Sequence, residues 1–399
     1  MPPRKKTTKK ESTIKKSDVI NTLGIDLSIG KVKLCLISYD KNDKKILGGW
    51  SSLPVPFDYI AEKEYDYNRN LTVAIEAFLT HHGKEPKDIN SIVFCSGGAY
   101  YMFKTFAEGL RYTAGILKMI FPRQKVYFIR CDSKLFDINE IFDLEDDEAS
   151  AFSSTNFLGT SLLASKFFDE GLAIDMGTIS TSIIPIINGV IDPISRHNPK
   201  GYTHHRYSTG KHIWYGVMHT PLNYITYQAK TKRSSYNLIL RSCTTSTLCN
   251  IFNLLDPESA NRHVYDHAKM TDNKLMEFIK LAETVGLDIN SVSSEELVDI
   301  AHDIYAQMLI NLSNIIKNIL INMNYTSFEN LKVLASGLGQ DAFIVPALKN
   351  CGFESHQIIK IAEDKRSDLW SASSVYGLAI LALETIIDEP VQVSIENPD

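Results

Sequence analysis

Long apolar runs are missing from this 399-residue chain, and cysteine and tryptophan are scarce, at six and three residues. No stretch approaches the length of a membrane span, and the polar N-terminus lacks the apolar centre of a signal peptide. Neither a membrane protein nor a secreted one is expected. The cysteines (Cys35, Cys95, Cys131, Cys243, Cys249 and Cys351) form no Cys-x-x-Cys pair. That spacing speaks against a zinc site and a disulfide framework, and reduced thiols in a cytoplasm fit best. The histidines of the 191–224 stretch (His197, His204, His205, His212 and His219) lack the His-Glu-x-x-His or carboxylate spacing of a metal site.

What is present is a globular composition, 44% apolar and 22% charged. The length suits two cores rather than one. Charge is uneven. Residues 1–16 hold Arg4, Lys5, Lys6, Lys9, Lys10, Lys15 and Lys16 against Glu11, a balance of +6, which leaves −11 on the remainder. We read residues 1–20 as a disordered basic tail. It suits an anionic partner, and a solvated extension has the same composition. No aromatic is interleaved with its lysines, as single-stranded nucleic acid would favour.

The central stretch is Leu172–Gly189, LAIDMGTISTSIIPIING. An apolar run ends in Asp175. Gly177 and a hydroxyl-rich turn (Thr178, Ser180, Thr181) follow, then a second apolar run and Asn188-Gly189, a hairpin signal because both residues tolerate positive φ. Turn amides and hydroxyls suit phosphate oxygens, and the carboxylate suits a chelated Mg²⁺ or its waters. A core hairpin with a polar turn has the same pattern. The layout recurs at Thr22–Ser38, with Asp26, a turn at Gly30 and the alternating strand Val32, Leu34, Leu36. Asp26 and Asp175 lie a domain length apart, which suggests a duplicated fold whose two turns face each other. A third glycine element, Gly337 and Gly339, follows the strand 331–334, and such strand ends meet at the cleft of an α/β fold. Lys33 leaves the first turn, where it can neutralise a phosphate or stand exposed. Asn156 can bond substrate or cap backbone. Arg206 and Lys211 are anion contacts or surface charge.

Local patterns place the other elements. Residues 149–168 read as helical and 191–224 as loop. Ser293 and Glu296 form a capping box for a long helix with a stripe of Val298, Tyr305, Leu309, Leu312, Ile316 and Ile319. A small-residue-rich helix near 371–387 ends the chain.

As a set, GIDLSIGKVKL, AIDMGTISTSIIPI and ASGLGQDAF resemble the phosphate and adenosine motifs of the actin, heat-shock ATPase and sugar-kinase superfamily. Together with STNFLGTS (154–161), RYSTGKHIWYGVMHTPL (206–222) and WSASSVYGLAILAL (370–383), they resemble more closely the hydantoinase A-related family of tetrahydromethanopterin-linked one-carbon proteins, which includes the archaeal methanofuran biosynthesis synthase. The resemblance covers residues 22–387. It implies an α/β fold of two facing ribonuclease H-like domains, residues 21–165 and 166–399, with a helical insertion at about 244–325 in the second. It also implies a reaction: the phenol of γ-glutamyltyramine displaces pyrophosphate from an aminomethyl-furanmethanol diphosphate, without nucleotide.

In that reading Asp26 and Asp175 handle Mg²⁺. Gly30, Gly177, Thr178, Ser180, Thr181 and Lys33 cradle the diphosphate, and Asn156, Arg206, Gly337 and Gly339 meet substrate. The chain departs from the family at Ser28, Ile29 and Lys31, where paired glycines and an asparagine are usual, and at Ser182 and Ser246, where aspartates are usual. An ATP-dependent kinase- or hydantoinase-type enzyme and a non-catalytic binding protein are the alternatives.

Overall fold

Each half of the chain follows one plan: a hairpin, a third antiparallel strand, then strands that run parallel to the first. The structure, a computed structural model, describes residues 18–28, 31–51, 55–56, 64–97, 103–232, 237–242, 246–255, 274–325, 327–361 and 373–393. Gly30 and residues 1–17 of the basic tail lie outside the described residues, and Val19 and Ile20 of the expected tail open the first strand.

In the first half, β1 (Val19–Ser28), β2 (Lys31–Asp40) and β3 (Lys45–Ser51) are antiparallel, with β4 (Val55–Pro56) also on β2. β5 (Ser91–Gly97) and β6 (Lys125–Ile129) run parallel to β1, and β7 (Leu135–Asp137) closes the edge, giving the order β3-β2-β1-β5-β6-β7. In the second half, β8 (Gly171–Met176), β9 (Thr181–Ile187) and β10 (Val190–Ile191) are antiparallel, and β11 (His212–Ile213) adds to β9. β12 (Gln228–Ala229) and β13 (Leu238–Ile239) form a separate pair. β14 (Lys332–Ser336) and β15 (Ile358–Lys360) complete the order β10-β9-β8-β14-β15. The repeated order makes this an α/β protein of two ribonuclease H-like domains. The hairpin between β9 and β10 turns at Asn188 (φ 51°) and Gly189 (φ 72°), as the Asn-Gly chemistry requires.

Period-two alternation sorts the strand residues between layers. Leu23, Ile25, Leu34 and Leu36 meet Leu71, Ile75, Leu110 and Leu117 from α1 (Glu64–His81) and α2 (Phe106–Ile120) on one face of the first sheet. Ala173, Ile184, Ile186 and Leu334 meet Leu158, Leu163 and Ala164 of α3 (Phe157–Ala164) on the second sheet's inner face. That sheet's other face, with Leu172, Ile174, Ile183 and Val333, packs against the helical portion led by α4 (Ser294–Asn322). The terminal helix, α5 (Ser373–Ile387), returns to the first sheet. There Val375, Ala379, Ile380 and Leu383 cover Cys35 and Ile37, and the Thr22 hydroxyl donates to the Ala379 carbonyl at 2.9 Å.

Two helices therefore cross between the sheets, α3 on the second and α5 on the first. They meet at Gly159 and Gly377: a Cβ on Gly159 would overlap the Ser374 carbonyl, and one on Gly377 would overlap the Gly159 carbonyl. The expected division at 165/166 is thus bridged by α5, which belongs to the later sequence and packs on the earlier sheet.

Several local expectations shift. Residues 149–168 are a 3-10 segment (Asp146–Phe152) and α3, separated by Ser154 at φ 52°. Residues 191–224 carry three short helices (Ile194–His197, Tyr202–Ser208 and Leu222–Ile225) besides β11. α4 is capped at Ser293, whose hydroxyl accepts from the Glu296 amide at 3.2 Å, but its buried stripe is Leu297, Ile300, Ile304, Met308, Leu312, Ile316 and Ile319. Val298, Tyr305 and Leu309 sit at the stripe's edge, because the helix packs against neighbours on two sides. By length and composition alone α4 could cross a membrane, yet this stripe lies in the second domain's core. The five cysteines among the described residues are buried free thiols.

Candidate active site

Between the two sheets, strand alternation turns charged side chains inward. On β1, Asp26 shares a face with Thr22 and so points toward α5. It is 0% exposed, and its carboxylate accepts from the Ser28 hydroxyl at 2.7 Å and from Ser374 on α5 at 3.0 Å. On β8, Asp175 shares a face with Ala173 and points toward α3, where Thr160 donates to Oδ2 at 2.9 Å. Thr160 also lies 3.0 Å from the Ser373 hydroxyl, which is bonded to Ser336 at the end of β14. Asp175 is thus tied through Thr160 to Ser373, and Asp26 to the neighbouring Ser374, so both carboxylates are anchored to the start of α5.

Lys33 closes the circuit. It stands directly opposite Asp26 on β2, and its ammonium lies 3.5 Å from the Asp26 carboxylate while remaining 18% exposed. Burial alone would lower its proton affinity, but the charges of Asp26 and then Asp175 outweigh that and hold it above the ordinary lysine value. At Asp175 burial wins: although Lys33 and Thr160 favour the anion, its pKa is raised. Lys33 therefore stays protonated between two inward carboxylates. We expect Lys33→Met to cost roughly 3 kcal/mol in urea unfolding, since it strands buried charge. K33M/D26N should recover part of that loss.

Beside this centre the turn between β8 and β9 presents unused donors. The Gly177 amide is spent on the Ser180 carbonyl at 2.9 Å. Among the described residues, the amides of Thr178, Ile179 and Ser180 and the hydroxyls of Thr178 and Ser180 make no hydrogen bond. The turn is held from behind. Val217 donates to the Gly177 carbonyl at 3.0 Å, Met218 and His219 donate to that of Thr178, and the Thr181 hydroxyl is committed to the Tyr215 carbonyl at 2.5 Å. Thr181 accordingly fastens the turn instead of facing a ligand.

The remaining expected residues divide. Gly337 (φ 88°) lies against Asp175, where a Cβ would stand 2.5 Å from Oδ1. The space beside Gly339 is filled by the Met176 side chain, so these glycines fit one turn against another and do not present open backbone. Asn156 opens α3 half-buried, with its amide unbonded among the described residues. Arg206 is no surface contact: it is 0% exposed, lies over the Phe157 ring at 4.0 Å, and donates to the Ser154 carbonyl and the Ser182 hydroxyl. Lys211, the other expected anion contact, is buried with Asp192 at 2.7 Å. Sequence reasoning missed Thr160, Ser373, Ser374 and Cys95. Burial raises the Cys95 thiol well above its usual value, with the Asp26 charge adding to the shift. The small-residue bias of the last helix was the one available signal for the serines.

Among the described residues no group of three or more His, Cys, Asp or Glu side chains is placed to hold a metal. A magnesium ion needs less than that, because it commonly keeps waters and binds one or two carboxylates plus substrate phosphates. Both Asp26 oxygens are taken by Ser28, Ser374 and Lys33. Asp175 Oδ1 accepts no hydrogen bond among the described residues and is the oxygen that fits such an ion.

Burial, and then Arg206, pushes the His212 imidazole well below its ordinary value of 6.5. The unfolded chain then binds one proton more than the folded one as pH falls below about 6.5, so His212 costs about 1.4 kcal/mol of stability per pH unit in that window. We expect the denaturation midpoint of His212→Gln to fall less than that of the parent protein between neutral and mildly acid pH.

No family model and no curated protein matches the chain. Solved structures do. A nucleotide-free acetone carboxylase, from work on ATP-dependent acetone carboxylation, is 9% identical over 91% of this chain and 70% of its own, with a TM-score of 0.50. The (R)-2-hydroxyglutaryl-CoA dehydratase component A of Acidaminococcus fermentans is 14% identical over 92% and 99%, with a TM-score of 0.43. An apo pSK41 ParM protein is 10% identical over 93% and 99%, at 0.39. The chain has the actin-like ATPase fold. At these identities the likeness extends to the fold alone.

Proposed function

We propose that this chain is a diphosphate-displacing ether synthase of the methanofuran type, joining the phenol of γ-glutamyltyramine to aminomethyl-furanmethanol diphosphate. The observation that carries the reading is a permanently charged Lys33 between Asp26 and Asp175, next to a turn of unbonded amides and hydroxyls. The sequence phrase DMGT-x-ST-x-IIPI supports it independently.

In this reading the amides of residues 178–180 and the hydroxyls of Thr178 and Ser180 take the diphosphate oxygens. Lys33 stabilises the negative charge that grows on the departing diphosphate as the C–O bond breaks. The furan ring spreads the positive charge left on its carbon, and the held phenol oxygen attacks there, its proton passing to the released pyrophosphate. Asp175 Oδ1 would hold a magnesium ion, which would supply further neutralisation of the same leaving group.

Purified protein given both substrates and Mg²⁺ should release pyrophosphate without ATP. No release beside an active family enzyme would reject the reading. The second reading is ATP-dependent chemistry at the same site, favoured by the ATP-dependent carboxylation named for the acetone carboxylase of like fold. ATP hydrolysis that disappears in Asp175→Ala would establish it.

A further inference from the structure

The segment that holds the β8–β9 turn from behind also carries an indole to the side of that turn. β11 pairs His212 with Ser182 and Ile213 with Thr181. One step further, the same register sets Trp214 opposite Ser180, at about 5 Å, one strand spacing. The approach stays close beyond that point. A Cβ on Gly216 would stand 2.2 Å from the Ile179 carbonyl carbon, so backbone runs against backbone there. Trp214 is therefore pinned beside the residues whose amides and hydroxyls are unbonded.

Its side chain lies on the face of the sheet that carries Asp175. Asp175 pairs with Ser182 and Ser182 with His212, so these three share the face turned toward α3. Trp214 follows His212 by two residues, and the two rings stand 5.0 Å apart, which puts the indole on that face as well. Tyr207 braces the indole at 5.9 Å, with the ring planes inclined by 35°. Yet Trp214 remains 43% exposed. The backbone around it is fixed: the Thr181 hydroxyl donates to the Tyr215 carbonyl at 2.5 Å, and the Gly216 amide donates to the Thr220 hydroxyl at 2.7 Å. A single exposed apolar side chain on a surface needs no explanation. An indole held rigid and open beside a cradle of unbonded donors does.

We propose that Trp214 is the platform on which the aromatic ring of the phenol acceptor stacks. Which ring it takes rests on the reaction proposed above. Of the two substrates, the furan has an anionic handle, because its reacting carbon is bonded to the diphosphate that the turn amides hold. The acceptor has only a hydroxyl and a flat apolar ring at its reacting end, so its grip there must come from ring contact. A braced indole supplies that contact without first ordering a mobile side chain. The position opposite Ser180 keeps the stacked ring next to the leaving group, as attack on the adjacent carbon requires.

Trp50→Phe and Trp370→Phe together leave Trp214 as the one tryptophan of the full chain. That protein is titrated, with Mg²⁺ and pyrophosphate present, against γ-glutamyltyramine, ring-less γ-glutamylethylamide, aminomethyl-furanmethanol and adenosine. The expected result is a saturable change of the indole emission with γ-glutamyltyramine and none with the ring-less amide. By calorimetry, Trp214→Ala should weaken γ-glutamyltyramine by at least about tenfold, while Trp214→Phe, which keeps a ring to stack on, should weaken it by no more than about threefold. No binding, binding that leaves the indole emission unchanged, or an affinity that W214A does not reduce overturns the proposal. A stronger response to the furan alcohol or to adenosine overturns it equally. Pyrophosphate release with an unaltered W214A affinity would sink the platform and keep the reaction. The indole response without pyrophosphate release would sink the reaction and keep the platform.

Discussion

Asp175→Asn is expected to lower pyrophosphate release by at least about 100-fold, the usual scale for removing one preorganised charge-stabilising group. The exchange keeps the shape and a partner for the Thr160 hydroxyl, whose bond to Oδ2 is 2.9 Å. It removes Oδ1 as a carboxylate oxygen, which among the described residues accepts no hydrogen bond. Stability should not fall in parallel. Burial raises the pKa of Asp175, so its ionised form is disfavoured in the folded protein and the neutral amide relieves that penalty. Urea midpoints at neutral pH should therefore match the parent protein or exceed it while turnover collapses. Thr178→Ala and Ser180→Ala act on ligand oxygens only through hydroxyls that the fold does not use. Their effects should appear in KM for the diphosphate more than in folding. A D175N protein that loses turnover and stability together would mark Asp175 as a structural residue and remove the basis of the proposed chemistry.

The parts of this site that could be read from sequence are those encoded locally. The β8–β9 hairpin and its Asn188-Gly189 turn follow from residues adjacent in the chain, and positive φ at both turn positions agrees with that chemistry. The duplicated layout was visible because Asp26 and Asp175 each end an apolar run before a polar turn. What escaped was supplied by distant segments. Thr160 and Ser373 are separated by 213 positions, and nothing near either one marks it as part of the site. Only the crossing of α3 and α5 brings them together. By its place in a loop-like stretch Arg206 is expected to be an anion contact or surface charge. Its burial comes from Phe157 on another element, whose ring lies 4.0 Å beneath the guanidinium. The stripe of α4 was displaced for a related reason. Periodicity identifies a helix and its apolar side, but the centre of that side is set by which elements lie against it.

Gly159→Ala should destabilise the fold by about 3 kcal/mol or more, against the sign that helix propensity alone gives. In a helix interior alanine is better than glycine by about 1 kcal/mol, and Gly159 lies within α3. Its missing side chain, however, is where the Ser374 backbone passes. Backbone cannot rotate away as a side-chain tip can, so the two helices must part, and overpacking of this kind costs roughly 1–3 kcal/mol even where some relaxation is possible. Gly377→Ala should behave alike, because its Cβ would meet the Gly159 carbonyl. The double variant should cost clearly less than the two single costs added, since helices already separated by the first methyl have room for the second. Urea unfolding of the three variants checks the sign, the size and the coupling. The crossing also carries Thr160 and Ser374 to their aspartates. Any Gly159 variant stable enough to purify should therefore lose diphosphate turnover by a larger factor than either aspartate's hydroxyl partner alone, Thr160→Val or Ser374→Ala. Additive glycine costs with turnover intact would mean that the crossing is only packing and does not set the distance between the two halves of the site.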